Sequence, residues 1–444
     1  MSSGLIRDRA ALERDEERRL ALFAIRSSEA RRRRTIEEAP SGQRAAFQRD
    51  RDRILHARAF RRLKHKTQVF VPHVGDHPRT RLTHTLEVAQ LARTIARTLG
   101  LNEDLVEAVA LGHDLGHTPF GHTGESVLNE ILGGAVPAVP LPDRVVAGVG
   151  SFKHNYQSLR VVDLLEKRYA FAGLNLTDQV REGILKHTSW KVGYPFPLPD
   201  GEGLFQDKPC HLEGQAVAVA DEIAQQTHDL EDGLRAGAVR LEEVEELQVA
   251  SLVISEIGPD YREEASRWQR QNVLIPGLIR LFVRDVVASS ASRLERFLDR
   301  RRIQDHPSFA AVSREVSQTT LWFSSEVEAL FDELKAFIYE KIINQAMVNR
   351  QDWRARRVVS ALFLAYWSEP RLLPVYMLLR AGEELDLPNL REVPLRRVAT
   401  TVATDYHASP GFARLIADHI AGMSDRYALE EFRSLEQPSP DHVL

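Results

Sequence analysis

The chain has 444 residues, 43% of them hydrophobic, a formal net charge of −4 at pH 7 and one cysteine. That length can bury a large core in one to three domains, and the near-neutral charge excludes a molecule whose whole surface matches nucleic acid. Cys210, having no partner thiol, excludes an internal disulfide or a cysteine zinc site, so any metal must sit on His, Asp and Glu.

Residues 1–44 are polar and weakly periodic, with a Pro40-Ser41-Gly42 break, and read as an N-terminal extension. Its opening, MSSGLIRDRAALERDEERRL, is charged throughout, and no run approaches the roughly eighteen apolar residues that cross a bilayer, so the expected compartment is the cytoplasm. The Arg31 to Arg34 run, flanked by acids, reads as a solvated helix face. Between Arg51 and Lys66 seven Arg or Lys face one Asp, a local basic segment.

From about residue 45 the pattern is helical. In THTLEVAQLARTIARTLG, Leu86, Ala89, Ile95, Ala96 and Leu99 fall near helical spacing, and Gly100 supplies a left-handed stop. Asn102 caps the next helix, with Glu103 and Asp104 in its first turn and Leu105, Val106, Val109 and Ala110 along its buried side. Residues 133–150, rich in Gly and Pro, read as a loop or short hairpin, and 193–203 (GYPFPLPDGEG) as a second break. Long helical segments follow, including HLEGQAVAVADEIAQQTHDLEDGL and much of 270–380, while strand signals are few and short. The chain reads as all-α, with a catalytic core at 45–240, a helical region at 241–444 packed on it, and small surface insertions.

The stretch LGHDLGHTPFGHTGE, residues 111–125, concentrates the chemistry. Neighbours on a helix point about 100° apart, so His113 and Asp114 share an ion only over the groove between them, with other helices completing the shell. His84 beside its apolar stripe and Asp221 after the run Ala216 to Ala220 are the candidates. Two imidazoles and two carboxylates suit Mn, Fe, Co or Zn, with Mg held through retained waters. The plainer alternative is core histidines satisfied by hydrogen bonds and an Asp paired with an Arg, and a second His-Asp dipeptide, His228-Asp229, warns that the pair alone is weak evidence. Beyond Gly116, Pro119 and Gly121 the chain re-enters a helix with His122 and Glu125 at i and i+3, where the carboxylate can fix the imidazole in one tautomer for proton transfer. His117 lies between the two centres, placed to donate to an anionic oxygen. Lys64 and Lys66 read as phosphate-holding or solvated, and His65 and His187 as structural.

Together RAFRRLKHKTQVF, GHDLGHTPFGHTGE, FKHNYQSLRVV, GLNLT, LKHTS, DEIAQQTHDLEDGLRAG and a late DHIAGMSDRYA resemble the HD-domain deoxynucleoside triphosphate triphosphohydrolases, the dGTPase family. The resemblance runs from about 51 to 237 and resumes near 399–428. It implies an all-α enzyme that hydrolyses dGTP or several dNTPs to the deoxynucleoside and inorganic triphosphate with a divalent metal (Mn, Mg, Fe or Co). It further implies His84, His113, Asp114 and Asp221 as metal ligands and His122 with Glu125 as the catalytic pair. Arg81, His117 and His154 correspond to groups near the phosphates, Gln68 and Val69 to positions that meet the sugar, and Asp229 to a carboxylate that binds the 3′-hydroxyl.

Three positions depart from the family pattern. Gln225 stands where relatives usually place a tyrosine against the sugar, Thr118 where proline is more usual, and Lys153 where an acid is usual. Relatives form ring-like or stacked homo-oligomers, often hexamers, and some respond to a second nucleotide or to single-stranded DNA. Rival readings are an HD phosphohydrolase acting on another nucleotide, and a catalytically weak nucleotide- or nucleic-acid-sensing protein, the latter favoured by Gln225 and the basic segment 51–66.

Overall fold

The computed structural model describes residues 7–32, 42–67, 79–188, 204–205, 207–259, 261 and 266–436. Among them the first ten α-helices are α1 (Arg9–Arg19), α2 (Ala46–Leu55), α3 (Arg58–Arg62), α4 (Arg81–Leu99), α5 (Glu103–Gly112), α6 (Gly121–Leu132), α7 (Asp143–Val149), α8 (His154–Arg160), α9 (Asp178–Lys186) and α10 (Leu212–Arg235). The rest are α11 (Leu241–Glu245), α12 (Gln248–Ile257), α13 (Arg267–Arg301), α14 (His306–Val312), α15 (Ser325–Ile338), α16 (Ala346–Ser368), α17 (Val375–Leu385), α18 (Leu395–Thr401), α19 (Pro410–Ala421) and α20 (Asp425–Glu436). No strand forms among the described residues; two isolated bridges join Arg32 to Thr177 and Thr67 to Thr80. The fold is all-α, and no described helix is long and apolar enough to cross a membrane.

Local signals set these elements as expected. The Asn102 side chain accepts from the Leu105 N–H to start α5, and Gly100 closes α4 at φ 71°, a conformation that costs glycine little. Val88, Ala92, Ile95 and Ala96 of α4 are buried against Val106, Val109 and Ala110 of α5 and Val217 and Ala220 of α10 in one apolar core. Each fully buried Val, Leu or Ile there contributes about 1.5–3 kcal/mol relative to exposure. This core extends through α12, α13 and α15, past residue 240 to Ile342. A second core joins Val127, Leu128 and Ile131 of α6 to α16, α17, α19 and Ala428 of α20. α6 therefore has one face in the second core and carries His122 in its first turn and Glu125 just beyond it.

Several details differ from the sequence expectation. Leu86, placed on the apolar stripe, is 50% exposed, because the buried face of α4 runs through Thr85, Val88 and Ala89 instead. Residues 143–149 form α7 rather than a loop or hairpin: Pro142 precedes the helix, Asp143 sits in its first turn, and Val145 and Val149 are buried. The N-terminal segment docks through polar contacts that hydrophobic periodicity does not reveal. Buried Glu16 accepts from the Ser27 N–H and hydroxyl, both at 2.7 Å, and the Ile25 N–H donates to Glu213 at 2.8 Å. Within the arginine run, Arg32 pairs with buried Asp50 at 2.6 Å rather than pointing only to solvent. The expected break at 193–203, like Arg33 and Arg34, lies outside the described residues.

Candidate metal centre and its histidine surround

Three helices converge on one point. Thr80 caps α4 and puts Arg81 and His84 in its first turn, both buried. α5 ends at Gly112, packed so closely that a Cβ there would lie 2.6 Å from Ile184 Cδ1, and His113 and Asp114 follow at its mouth. Gly116 then crosses the start of α8: a Cβ on it would stand 2.1 Å from the Ser158 nitrogen. The Ser158 hydroxyl fastens this corner, donating to the His113 carbonyl at 2.7 Å and accepting from the Gly116 N–H at 2.8 Å. α10 supplies Asp221 from the opposite side.

The separations fit a shared ion. His84 Nε2 is 2.9 Å from Asp221 Oδ1, and His113 Nε2 is 3.6 Å from that oxygen and 3.3 Å from Asp114 Oδ1. Donors about 2.1 Å from one ion stand roughly 3.0–3.4 Å apart at right or tetrahedral angles, so these pairs need little adjustment. His113 Nδ1 donates to the Ala110 carbonyl at 2.6 Å, which leaves Nε2 as the lone-pair nitrogen, buried and without a hydrogen-bond partner. His84 is braced from behind: its Nδ1 is 3.3 Å from His228 Nδ1, and His228 Nε2 is 2.5 Å from Glu87. Burial lowers the pKa of His228 and keeps it neutral, so this contact is a poorly aligned approach of its Nε2–H to the carboxylate rather than an ion pair. The chain Glu87, His228, His84 orders protons so that His84 Nε2 faces inward as an acceptor.

Charge follows the geometry. Burial opposes the ionised form of Asp114, but His113, His117 and Arg81 outweigh it and hold the carboxyl well below its usual range. Asp221 is held low in the same way by His113 and His84. Burial also opposes a charge on His113, and Asp114 and Asp221 overcome it, raising that pKa to about 9, so an ion bound there would take the place of the Nε2 proton. Arg81 Nη1 donates to Asp114 Oδ2 at 2.8 Å, and Oδ1 lies between His113 and His117; the ion-sized set is His84, His113 and Asp221, with Asp114 at its edge grouped with His154 and His187.

Beside this cluster lies a second group. His117, His122, Glu125 and His154 bring ligand atoms within 4.8 Å of one another, as do Asp114, His154 and His187. His117 Nε2 is 3.1 Å from Asp114 Oδ1, and its ring stacks on that of His154 at 3.9 Å. His117 Nδ1 is buried and unpartnered. Here the expected pairing is corrected: Glu125 does not hydrogen-bond His122. Its carboxylate accepts from His154 Nδ1 at 2.5 Å, the His154 N–H at 3.2 Å and Lys153 Nζ at 2.7 Å. Three donors at the start of α8 outcompete one imidazole on its own helix, and they hold Glu125 below the usual carboxylate range against the opposing effect of burial. His122 is the exposed member, its ring 5.3 Å from His117 and 6.0 Å from His154. Surrounding protein, then Arg81 and His154, push its pKa down, so it is neutral at pH 7.

Other expected residues fall as follows. Asp229, two turns after Asp221 on α10, is buried with Oδ1 unpartnered, and desolvation followed by Asp232 raises its pKa to about 8. Gln225 lies half-buried between them on the same face. Gln68 and Val69 lie outside the described residues. Lys66 is neither solvated nor facing phosphate: its ammonium is buried and donates to the main-chain carbonyls of His117 and Ala421. Lys64 is exposed. His187, expected to be structural, belongs to the surround; its Nε2 is 3.2 Å from His154 Nε2 while its Nδ1 donates to the Ile184 carbonyl at 2.7 Å. His228, Glu87 and Lys153 were not singled out as functional. The available signal for His228 was its place two turns along the helix that carries Asp221.

Residues 81–225 match the HD domain family, and residues 321–404 and 394–434 match the phosphohydrolase-associated domain. The chain is 41% identical over 418 residues to a deoxyguanosinetriphosphate triphosphohydrolase-like protein of Bordetella pertussis, covering 94% of this chain and 96% of that one. The chain belongs to the deoxyguanosinetriphosphate triphosphohydrolase-like family. Like-named family members of Geobacter metallireducens (40% over 425 residues, 94% of this chain and 95% of that one) and Nitrosomonas europaea (38% over 417 residues, 94% and 97%) match with the same breadth. For this dGTPase-like HD protein the family match begins at Arg81 and ends at Gln225, and so contains all four presumed ligands.

Proposed function

We propose that the protein is a metal-dependent triphosphohydrolase that cleaves dGTP, or several dNTPs, to the deoxynucleoside and inorganic triphosphate. The carrying observation is the meeting of an ion-sized cluster from α4, α5 and α10 with a separate group of imidazoles around Glu125. Charge neutralisation beside proton transfer is what cleavage between the α-phosphorus and the 5′-oxygen requires. The names of the relatives support the substrate class.

His84, His113, Asp114 and Asp221 would hold a divalent ion, Mn, Mg, Fe or Co, which supplies Lewis-acid neutralisation of phosphate charge and orientation of water when bound. Arg81, anchored to Asp114 and with its Nε unpartnered, offers a donor to the phosphates, while neutral His117, its Nε2–H turned to Asp114, presents Nδ1 as an acceptor. Glu125 fixes the ring of His154, with Nδ1–H on the carboxylate and Nε2 turned to His187 at the edge of the site. His122, neutral and accessible, takes a proton from solvent as the triphosphate approaches and passes it to the departing 5′-oxygen as that bond breaks, while the attacking water releases its proton to solvent. Asp229, protonated near neutral pH, can both donate to and accept from the 3′-hydroxyl. Gln225 presents an amide to the sugar in place of an aromatic face, and Gln68 and Val69 complete the sugar contacts. The family resemblance adds a cytoplasmic homo-oligomer, a hexamer, with a nucleotide or single-stranded DNA as activator.

The test is a panel of dNTPs and rNTPs against several divalent ions with product identification. Free triphosphate and deoxynucleoside are expected. Orthophosphate or a monophosphate as the first product would replace the reading with another phosphohydrolase, and binding without hydrolysis in any ion would replace it with a sensor.

A further inference from the structure

The phosphohydrolase-associated segment reaches into the site through the corner between α19 and α20. Asp425, the first residue of α20, is buried, and its two oxygens serve two different parts of the chain. Oδ2 accepts from the Thr67 N–H at 2.8 Å and from the Thr67 hydroxyl, while Oδ1 accepts from the Phe120 N–H at 2.9 Å. Lys66, next to Thr67, spans the same gap in the other direction. Its ammonium donates to the His117 carbonyl and, at 2.9 Å, to the Ala421 carbonyl at the end of α19. Arg62 adds a third tie, donating to the Gly422 carbonyl at 2.6 Å.

What these contacts hold is the turn from His117 to Phe120. Phe120 is in the left-handed region at φ 61° and Gly121 follows at φ 58°. A side-chain-bearing residue keeps that conformation only when its surroundings impose it. Here the N–H of Phe120 is fixed by Asp425, and the Thr118 hydroxyl donates to the Gly121 carbonyl at 2.8 Å. The turn sets where α6 begins, and with it the place of His122 in the first turn and of Glu125 just beyond it. Lys66 and Asp425 hydrogen-bond the main chain of His117, Ala421 and Phe120 and both groups of Thr67 rather than a metal-ligand side chain, so both act through the turn.

We propose that Asp425 and Lys66 are positioning residues for the proposed hydrolysis, through which the α19–α20 corner sets the His117–Phe120 turn and so the place of His122 against the metal cluster. The proposal rests on the reading of the site given above. It assigns the associated segment a part in the active site rather than packing alone: the segment contributes the anchor, and the HD region contributes the reacting groups.

The experiment combines turnover with amide exchange on the full-length protein. Asp425→Ala, Asp425→Asn and Lys66→Met are compared with the parent, and Asp425→Ala is repeated in a His122→Ala background. Misplacement of about 1 Å costs catalysis roughly 100-fold, so kcat is expected to fall about 10- to 100-fold with KM and bound metal close to the parent. Exchange should accelerate in residues 117–124 and stay slow in α4, α5 and α10. In the His122→Ala background, Asp425→Ala should cost almost nothing more, because the group it positions is already gone. Unchanged exchange at Phe120, or losses that simply multiply, would overturn the proposal. If Asp425→Ala does not fold, Asp425→Asn, equal in size and keeping one acceptor oxygen, carries the same tests. A parent that hydrolyses no nucleotide would remove the reading of the site, and the exchange result would still decide whether the anchor exists.

Discussion

Gly116→Ala tests whether close backbone packing places the histidines. The new Cβ would lie 2.1 Å from the Ser158 nitrogen, 2.3 Å from the His154 carbonyl oxygen and 2.5 Å from the Gln157 carbonyl carbon. All three are main-chain atoms of α8, so no side chain can swing aside. Ordinary contact begins at 3.4 Å, so α8 and the Asp114–His117 corner must separate by about 1.3 Å (3.4 − 2.1). Overpacking of this kind costs about 1–3 kcal/mol of stability. The same displacement would break the Ser158 hydroxyl bonds at 2.7 and 2.8 Å and carry His154 away from His117. Turnover is therefore expected to drop about 100-fold, with a lower urea midpoint and secondary structure intact. The assay pairs urea unfolding with steady-state kinetics. A variant with the parent's midpoint and kcat would show that the corner has room, and the positional argument would fail.

Three further outcomes follow from the contacts. Glu125→Gln, which loses the charge holding His154 while keeping the shape, should lower kcat about 100-fold with bound manganese unchanged; unaltered turnover would remove Glu125 from the mechanism. His228→Ala should weaken manganese affinity about 10- to 100-fold in a calorimetric titration, since it frees the tautomer of His84, and equal affinity would show the brace to be idle. Asp229 has its pKa raised from 3.8 to about 8 by burial and Asp232, so the stability it contributes is full below pH 3.8 and lost as pH rises through about 8. Asp229→Asn removes that loss, and its unfolding free energy relative to the parent should improve from pH 5 to pH 8; a pH-independent difference would contradict the assignment.

Much of the fold, and the candidates for the metal centre, could be read in the sequence because each rests on a local rule. Asn102 and Gly100 mark helix ends, the apolar run before Asp221 marks a buried carboxylate, and helical spacing puts Asp221, Gln225 and Asp229 on one face. What escaped depends on distant groups. Glu125 and His122 are neighbours by spacing, yet Lys153 and His154, 28 and 29 residues later at the start of α8, compete for the carboxylate. Lys66 looked like a phosphate-binding or solvated cation, and its role became visible only when α19, more than 350 residues away, was seen to present the Ala421 carbonyl. His187 gave no period or cap to mark it; only packing of α9 against α8 brings it to His154. The helix at 143–149 was hidden because glycines and prolines in its surroundings mask a short helix of about two turns.

The central claim is that His84, His113, Asp114 and Asp221 share one ion. Anomalous diffraction from crystals soaked in manganese tests it most directly. The account predicts a single strong peak about 2.1 Å from His84 Nε2, His113 Nε2 and the inner oxygens of both aspartates. A peak centred instead among His117, His122, Glu125 and His154, with the first four groups left unliganded, would contradict it.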